Sequence, residues 1–300
     1  MSVELTVVTV TYNSADHIAD NLAAMEDALA PFDAEILVVD NASSDASVTE
    51  ARRVLRRGRV IESGENLGFG RGVNLGLVEA RGAWTMIMND DARIDSASIE
   101  LLLEAAASDP AIGLVGPRIV GEDGETAPSA RYRFPGWAEE WQRIRRLVGL
   151  KDPDYPISEE PHDVAWLVGA CVLGSTQLLR KVGGFNPAFF LYGEDIDLCR
   201  RLAALGYRRV TVPKATCVHT QGVATSRVFD SDARSLRQMS GRAVYYRIWF
   251  SPVALRVIQI LRGIGLRGGR ERFGAYLRLA VAGSDLRHLR FPPPLPGPPA

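Results

Sequence analysis

Leu5-Thr6-Val7-Val8-Thr9-Val10-Thr11 is an unbroken run of apolar and β-branched residues that stops at Tyr12-Asn13. A run without alternation of polar and apolar residues is typical of a strand that is buried on both faces. Glu35–Val39 and Trp84–Met88 are similar runs, and the segments between them have helical periodicity. Buried strands that alternate with helices predict an α/β fold, with a mostly parallel sheet flanked by helices.

The remaining elements are predicted from caps, breaks and periodicity. We expect Asn13 or Ser14 to cap the first helix, and Ser96 or Ser98 to cap a later one that ends near Ser108. The predicted helices and strands outside the three runs above are Ala15–Ala30, Ser47–Arg57, Val60–Ser63, Val73–Arg81, Trp137–Leu150, Ser175–Val182, Asp195–Leu205, Arg209–Val212 and the basic stretch Arg234–Arg290.

Polar residues follow three of the predicted strands, at the point where each strand ends. They are Thr11-Tyr12-Asn13, Asp40-Asn41 and Asn89-Asp90-Asp91. Because α/β sheets bind ligands beyond the carboxyl ends of their strands, these clusters predict one binding site. The third cluster has two interpretations. Its carboxylates suit Mg²⁺ or Mn²⁺ shared with substrate phosphates, but the same composition also forms ordinary polar turns.

A second acidic group, Glu194-Asp195-Ile196-Asp197, opens a predicted helix. Acids are common in a first helical turn because the helix dipole favours negative charge there. The preceding Phe189-Phe190-Leu191-Tyr192 instead suggests a carboxylate held beside apolar side chains, where it could act as a general base.

Two further features are ambiguous when taken alone. His219 follows the last predicted strand, and a lone histidine is more often structural than a ligand. The glycine-rich run Asn66–Asn74 contains G-x-G, but it follows the third strand and not the first, so it is a weak dinucleotide signature. Within that run, Arg71 is a cation that could contact a phosphate.

Together and in this order, the motifs resemble the family 2 inverting glycosyltransferases of the GT-A fold, over about Val3–Ser226. The resemblance rests on Val10–Asn13, Val38–Asp45, Asn66–Gly70, Asn89–Asp91, and Gly183–Asn186 through Glu194-Asp195. Within the family, the run around Asn66 and the string Phe189–Asp195 are similar to rhamnosyltransferases of bacterial cell-envelope assembly.

The resemblance implies a role for each matching residue. It implies Asp195 as the catalytic base, and Asp91 and His219 as ligands of a divalent metal, Mg²⁺ or Mn²⁺. Asn89 stands where the metal motif usually has its first acid, so the number of protein ligands is open. The residues implied to bind the nucleotide sugar are Thr11, Tyr12, Asn13, Asp40, Asn41, Asn66, Arg71, Asn89 and Asp90. Those implied on the acceptor side are Trp166, Tyr192 and Glu194.

The implied reaction moves a sugar from a nucleotide-diphosphate donor to a hydroxyl of a lipid-linked or polysaccharide acceptor. The resemblance favours dTDP-L-rhamnose as donor, with UDP-galactofuranose and UDP-N-acetylglucosamine as alternatives. A nicotinamide-dependent oxidoreductase would need G-x-G-x-x-G where the chain has Thr11-Tyr12-Asn13. A sugar nucleotidyltransferase would need a glycine-rich basic loop there. A non-catalytic sugar-nucleotide-binding module stays open, although Asp91, Asp195 and His219 argue against it.

The charge of the chain is distributed unevenly. The net charge is −1, yet residues 227–300 carry thirteen Arg and four acids, a charge of +9 that leaves −10 on residues 1–226. An acidic body argues against a nucleic-acid-binding protein. The basic segment either covers the core with helices or makes peripheral contact with an anionic membrane through residues such as Tyr245-Tyr246, Trp249 and Phe250. A polyprenyl-linked acceptor, which the resemblance implies, favours the membrane.

These observations predict a GT-A catalytic domain at 1–226, a helical basic region at 227–290 and a Pro-rich disordered tail at 291–300. Three cysteines cannot all pair, and the first residues do not resemble a secretory signal. Both observations favour a reducing compartment, and hence the cytoplasmic face of the membrane. The sequence makes no prediction of the oligomeric state.

Overall fold

The computed structural model describes residues 4–126, 130–131, 133–136, 158–220, 231–251, 253–254 and 286–298. The strands are β1 (Leu5–Thr11), β2 (Ala34–Asp40), β3 (Gly58–Glu62), β4 (Trp84–Met88), β5 (Ala92–Ile94), β6 (Ile112–Val120), β7 (Ala130–Arg131), β8 (His162–Asp163), β9 (Trp166–Leu167), β10 (Cys171–Ser175) and β11 (Arg208–His219). The helices are α1 (Ile18–Ala28), α2 (Ser47–Val54), α3 (Phe69–Glu79), α4 (Ser96–Ala107), α5 (Thr176–Lys181), α6 (Glu194–Ala204) and α7 (Ser231–Trp249), with a 3₁₀ turn at Arg287–Leu289.

The main sheet has the strand order β3-β2-β1-β4-β10-β6-β11-β5, and β8 pairs with β11. Strands β3, β2, β1 and β4 are parallel to one another, as are β6 and β11. Strand β10 runs antiparallel to both of its neighbours, and β5 runs antiparallel to β11. The α/β class is therefore confirmed. The parallel character is complete in the first half of the sheet and mixed in the second.

Strand β1 lies inside the sheet, third from the β3 edge, and apolar side chains cover both of its faces. Leu5 and Val7 pack into one core with α1 and α4, and Val8 packs into a second core with α3 on the opposite face. Gly76 brings α3 close to the sheet, since a Cβ atom added there would overlap a Val8 methyl group. At this position the glycine-rich run serves helix packing.

Two predicted caps are wrong. The N-cap of α1 is His17, four residues beyond Asn13 and three beyond Ser14, and its side chain makes no capping hydrogen bond. The N-cap of α4 is Asp95, whose carboxylate accepts the N–H of Ser98 at 2.7 Å. Helix α3 begins at Phe69, four residues before the predicted start, because Gly68 takes a φ of 79° and directs the chain into the helix.

The aromatic residues of α7 are part of the protein interior. Tyr245 and Tyr246 are fully buried beside Phe189 and Ile196. The prediction that this tyrosine pair meets a membrane is therefore wrong, and α7 covers the core instead. No helix in the described part of the chain is long and apolar enough to cross a bilayer.

The segment from 286 to 298 is held against the same domain. The N–H of Leu295 donates to the carbonyl of Arg180 at 2.9 Å, and the side-chain amide of Asn186 donates to the carbonyl of Leu289 at 2.6 Å. This differs from the disordered tail predicted after residue 290. The predicted boundary at residue 226 and the predicted helix Trp137–Leu150 lie outside the described residues.

A buried ion pair fixes the start of α6. Arg201 and Asp197 are both inaccessible to solvent, with 2.8 Å between Nε and Oδ2. The two terminal nitrogens of Arg201 donate to the carbonyls of Val182 and Gly184, at 2.6 Å each. Each of the three guanidinium nitrogens thus has a hydrogen-bond acceptor.

Arg201→Met is expected to lower the free energy of unfolding by about 3–5 kcal/mol, because it leaves the Asp197 carboxylate buried without a cation. The matched control is Arg208→Met. Arg208 pairs with Asp109 and Asp163 but is 43% exposed, so its removal should cost less than about 1 kcal/mol. Urea unfolding measures both. An Arg201→Met loss no larger than that of the control would contradict the prediction.

Candidate active site

Parallel pairing brings the predicted polar clusters to one edge of the sheet. Thr11 at the end of β1 lies opposite Asp40 at the end of β2, and the N–H of Asn41 donates to the carbonyl of Thr11 at 2.9 Å. Strand β4 pairs with the other side of β1 and ends directly before Asn89. The edge of the parallel strands thus carries all three clusters.

Asp40 and Asn41 each present an oxygen without a partner. Asp40 is buried, and its Oδ2 accepts the N–H of Ser43 at 3.0 Å. The amide nitrogen of Asn41 donates to the carbonyl of Gly68 at 3.1 Å. Asp40 Oδ1 and Asn41 Oδ1 are buried and have no hydrogen-bond partner within the described ranges. Buried oxygens of this kind are costly unless a ligand supplies donors.

Three non-glycine residues have positive φ angles in the described part of the chain: Asn13 at 52°, Ala42 at 60° and Tyr192 at 70°. Asn13 is held there by two hydrogen bonds. Its N–H donates to Ser43 Oγ at 2.9 Å, and its Oδ1 accepts the N–H of Ser44 at 2.8 Å. Residues in this region of backbone space cost free energy and cluster at functional sites. All three here lie in or beside the predicted motifs.

Asp90 is anchored by residues around α1. Its Oδ2 accepts the hydroxyl of Ser14 at 2.6 Å, and its carbonyl accepts the amide of Asn21 at 2.6 Å. Burial raises the pKa of Asp90, the neighbouring Asp91 raises it further, and the Ser14 hydrogen bond partly offsets both effects. Ser14 is therefore a partner of Asp90 and not the cap of α1. The predicted contact of Asp90 with the nucleotide sugar stays a prediction.

Asn89, Asp91 and His219 converge where β11 ends. His219 pairs with Ala92 across the sheet, and its Nε2 lies 3.1 Å from Asp91 Oδ1 and 3.2 Å from Asn89 Nδ2. If Nε2 carries a proton, it meets the donor amide of Asn89; if it does not, its lone pair faces the Asp91 carboxylate. If the Asn89 amide turns so that Oδ1 replaces Nδ2, a protonated Nε2 can donate to both oxygens, and an unprotonated Nε2 brings three metal-binding atoms together.

The protein alone supplies few metal ligands here. No group of three or more His, Cys, Asp or Glu side chains that could hold a metal ion occurs among the residues described. Asp91, His219 and the amide oxygen of Asn89 are the available donors. A cation at this place would take its remaining ligands from substrate phosphates and water.

Asp195 lies in the first turn of α6 with its carboxylate held by two backbone groups. Oδ1 accepts the N–H of Ile196 at 2.8 Å, and Oδ2 accepts the N–H of Gly169 at 3.2 Å. Burial raises the pKa of Asp195 above its ordinary value, and the two hydrogen bonds limit the rise. A raised pKa makes a carboxylate a better proton acceptor.

Two consecutive backbone groups join the base candidate to the convergent polar residues. Gly169 donates to Asp195, and the carbonyl of the next residue, Ala170, accepts the N–H of Asn89 at 2.9 Å. Sequence reasoning missed Gly169 and Ala170. No residue-type signal marks them, because both contacts are made by the backbone.

Glu194 is buried beside Asp195. Burial and the Asp195 charge raise its pKa to about 8, and its Oε2 has no hydrogen-bond partner among the described residues. Tyr192, also predicted on the acceptor side, is half-buried and precedes this pair. Trp166 lies in β9 and donates from its indole to the carbonyl of Arg133 at 3.2 Å.

The remaining predicted residues lie further toward the surface. Asn66 turns its Oδ1 to accept the N–H of Gly68 at 3.0 Å, which supports the start of α3. Arg71 is 48% exposed, with its guanidinium 3.8 Å from Glu65. Tyr12 is half-buried. Their predicted roles toward the donor stay predictions.

Comparison with known proteins places the chain in a family. Residues 6–168 match the family model for Glycosyl transferase family 2. An N-acetylglucosaminyl-diphospho-decaprenol L-rhamnosyltransferase from Mycobacterium tuberculosis is 32% identical over 243 residues, which cover 74% of this chain and 78% of the relative. The low-salt glycan biosynthesis hexosyltransferase Agl10 from Haloferax volcanii is 27% identical over 238 residues, which cover 75% of this chain and 69% of that relative.

A solved structure shows the same fold. The mannosyltransferase PcManGT from Pyrobaculum calidifontis, in complex with GDP-Man and Mn²⁺, superposes with a TM-score of 0.55 at 19% identity, over 93% of this chain and 79% of that one.

The chain belongs to glycosyl transferase family 2 and is a glycosyltransferase with the GT-A fold. Its similarity to a mycobacterial L-rhamnosyltransferase confirms the resemblance to the rhamnosyltransferases of this family.

Glu194→Gln is expected to gain stability relative to wild type as pH rises from 5 to 8. The folded pKa of about 8 lies above the ordinary value of 4.5, so across this window the folded state keeps a proton that the unfolded state loses. Wild-type stability therefore falls with rising pH, and glutamine removes that fall. Melting temperatures at several pH values measure the difference.

The control is Glu104→Gln, which changes an exposed residue of α4. The difference in melting temperature between Glu104→Gln and wild type should be the same at each pH. A constant difference for Glu194→Gln as well would show that Glu194 does not titrate abnormally.

Proposed function

We propose that this protein is a metal-dependent inverting glycosyltransferase that moves L-rhamnose from dTDP-L-rhamnose to a hydroxyl of a lipid-linked glycan in cell-envelope synthesis. One observation carries the proposal. The consecutive residues Gly169 and Ala170 hold Asp195 on one side and Asn89, beside Asp91 and His219, on the other. This arrangement suits a donor diphosphate next to an acceptor hydroxyl.

The nucleoside is bound at the ends of β1 and β2. Thr11, Tyr12 and Asp40 hold the base and ribose, with Asn13 and Asn41 beside them. The support is the pair of buried oxygens without partners, Asp40 Oδ1 and Asn41 Oδ1. The N3–H of thymine or uracil and the hydroxyls of the sugar are donors that would satisfy them.

The diphosphate is held through a divalent cation. Asp91 Oδ1, His219 Nε2 and the amide oxygen of Asn89, with the amide turned toward them, would bind it, since a cation satisfies the lone pairs that face each other when Nε2 carries no proton. When bound, the metal neutralises the negative charge that develops on the departing nucleoside diphosphate. Carboxylate and amide oxygens suit Mn²⁺ or Mg²⁺, and the imidazole nitrogen favours Mn²⁺, the softer of the two.

Asp195 takes the proton of the acceptor hydroxyl as the oxygen of that hydroxyl bonds to the anomeric carbon. The bond between this carbon and the diphosphate oxygen breaks on the opposite face, and its electron pair leaves with the nucleoside diphosphate. A single displacement inverts the anomeric carbon, and no covalent link to the protein is formed. The two N–H groups that hold the Asp195 carboxylate keep it oriented for this transfer.

The acceptor is proposed from the relative of known activity. The Mycobacterium tuberculosis protein is named for transfer to N-acetylglucosaminyl-diphospho-decaprenol. We extend this class of acceptor, a polyprenyl-diphosphate sugar, to the present chain, with Trp166, Tyr192 and Glu194 on the acceptor side around α6.

Asp195→Asn is expected to lower the transfer rate by about 100-fold or more, since it removes the proton acceptor at constant size. Affinity for the nucleoside diphosphate should be unchanged, because the hydrogen bonds of the Asp195 carboxylate go to Gly169 and Ile196 and not to residues proposed to bind the nucleotide. Product formation and calorimetry measure the two quantities. Asp20→Asn, an exposed change on α1, is the control.

Transfer by Asp195→Asn within about tenfold of wild type, a loss of only ~1.4 kcal/mol, would exclude Asp195 as the base. Binding of nucleotide sugars without any turnover by the wild type would instead favour the non-catalytic sugar-nucleotide-binding module.

The donor and the metal are tested together in a panel of nucleotide sugars with a polyprenyl-diphosphate N-acetylglucosamine acceptor. We expect dTDP-L-rhamnose to turn over fastest, activity to stop with a chelator, and Mn²⁺ or Mg²⁺ to restore it. Asp91→Ala and His219→Ala should each raise the Mn²⁺ concentration required.

Faster turnover of UDP-galactofuranose or UDP-N-acetylglucosamine would replace the proposed donor without affecting the assignment of the base. Activity that is insensitive to the chelator and to both substitutions would exclude a metal from the proposed mechanism.

We also propose peripheral contact with the cytoplasmic face of the membrane, supported by the charge of +9 on residues 227–300 and by the lipid-linked acceptor. Because Tyr245 and Tyr246 are buried, this contact should be electrostatic. Co-sedimentation should show binding to anionic vesicles at low salt that is lost at high salt. Neutral vesicles are the control. No binding to anionic vesicles at low salt would exclude the contact.

A further inference from the structure

Helix α7 packs directly on the backbone that leads to the base. A Cβ atom added at Gly241, in the middle of α7, would overlap the carbonyl oxygen of Tyr192 and lie 3.0 Å from that of Leu191. Only a residue without a side chain permits this approach. The contact is therefore backbone to backbone, and it falls three residues before Asp195.

Both partners of this contact are unfavourable on their own. Glycine inside a helix costs about 1 kcal/mol relative to alanine. Tyr192 has a φ of 70°, a conformation that bulky residues rarely adopt. A helix that merely covered apolar surface would need neither feature. Their coincidence indicates that the position of the segment before Asp195 is what the contact fixes.

A second contact holds α6 on the other side of Asp195. The indole N–H of Trp249, the last residue of α7, donates to Asp197 Oδ1 at 2.8 Å. The Trp249 ring is itself held by two guanidinium groups: the Cζ atoms of Arg200 and Arg290 lie 4.7 Å and 4.8 Å from its centroid. The Phe291 ring packs edge to face with it, and the two ring centroids are 6.3 Å apart. Between the two contacts, the core around Tyr245 and Tyr246 packs α7 against Phe189 and Ile196.

We infer that α7 orients the catalytic base, and that Gly241 and Trp249 are positioning residues for Asp195. The inference rests on the proposed role of Asp195. Gly241 fixes the chain at Tyr192, Trp249 fixes it at Asp197, and the Asp195 carboxylate between them is directed to the N–H of Gly169. The predicted basic C-terminal region is, over α7, part of the acceptor side of the active site.

Gly241→Ala and Trp249→Phe test the inference. Alanine forces α7 away from Tyr192, and phenylalanine keeps a ring but removes the N–H. A displacement of about 1 Å in a catalytic group can cost about 100-fold in rate, so each variant should lose between about tenfold and 100-fold in kcat. The KM for the donor should stay within about twofold of wild type, because the α7 contacts described above are with the segment before α6 and with α6 itself.

Ser240→Ala is the matched control, since it changes the adjacent, exposed residue of α7. Like Gly241→Ala, it favours helix, so helix propensity alone predicts no loss in either variant. Circular dichroism and melting temperature establish that each variant is folded. If Gly241→Ala does not fold, the kcat and donor KM of Trp249→Phe test the inference alone.

Asp195→Asn is measured in parallel to separate the two hypotheses. If Asp195→Asn is inactive while Gly241→Ala and Trp249→Phe keep wild-type kcat, the role of α7 is overturned and the base assignment stands. A rise in donor KM that matches the fall in kcat also overturns it, because the substitutions then disturb the whole site. If Asp195→Asn stays active, the base assignment fails and the positioning role fails with it.

Discussion

The buried guanidinium of Arg201 connects the three parts of the chain that surround Asp195, the proposed base. It pairs with Asp197 in the first turn of α6 and binds the carbonyls of Val182 and Gly184, and Asp197 in turn accepts the indole of Trp249. The desolvation of two buried charges offsets much of their attraction, so an apolar pair of the same volume could be as stable. An apolar pair would not fix the direction of α6. Directional bonds to two carbonyls and one indole do so, and Asp195 depends on that direction.

The site concentrates negative charge that the protein balances only in part. Asp90 and Asp91 follow β4, and Glu194 and Asp195 open α6, with raised pKa values for Asp90, Glu194 and Asp195 because of burial. Protonation of Glu194 near neutral pH reduces the repulsion on the acceptor side. On the proposed donor side, His219 Nε2 faces the Asp91 carboxylate with its lone pair when it carries no proton. A donor diphosphate would add further negative charge, and this electrostatic argument supports the proposed cation between the phosphates and Asp91.

Features set by burial could be predicted from the sequence, and features set by backbone contacts could not. The runs that became β1, β2 and β4 indicated the sheet and the edge where its polar clusters meet, because an unbroken apolar run has few alternatives. The cap of α1 was missed because Ser14 hydrogen-bonds Asp90 instead. Gly169 contributes only an N–H, which any residue type has. The burial of the α7 tyrosines could not be predicted, because a helix that covers the core and a helix that lies on a membrane can both be rich in aromatic and basic residues.

The proposed donor and acceptor sides are formed by different elements of the fold. The residues of one side can therefore vary without changing the other. The proposed donor side lies at the ends of β1, β2 and β4, within residues 6–168 that match the family model. The proposed acceptor side lies around α6 and α7, and the segment at 286–298 returns to Asn186 and Arg180 beside the carbonyl partners of Arg201. A rigid central sheet can keep one mode of nucleotide binding. Helices that pack around the Arg201–Asp197 ion pair can differ in their outer residues and so admit different acceptors, provided that Gly241 and Trp249 keep the inferred position of the proposed base.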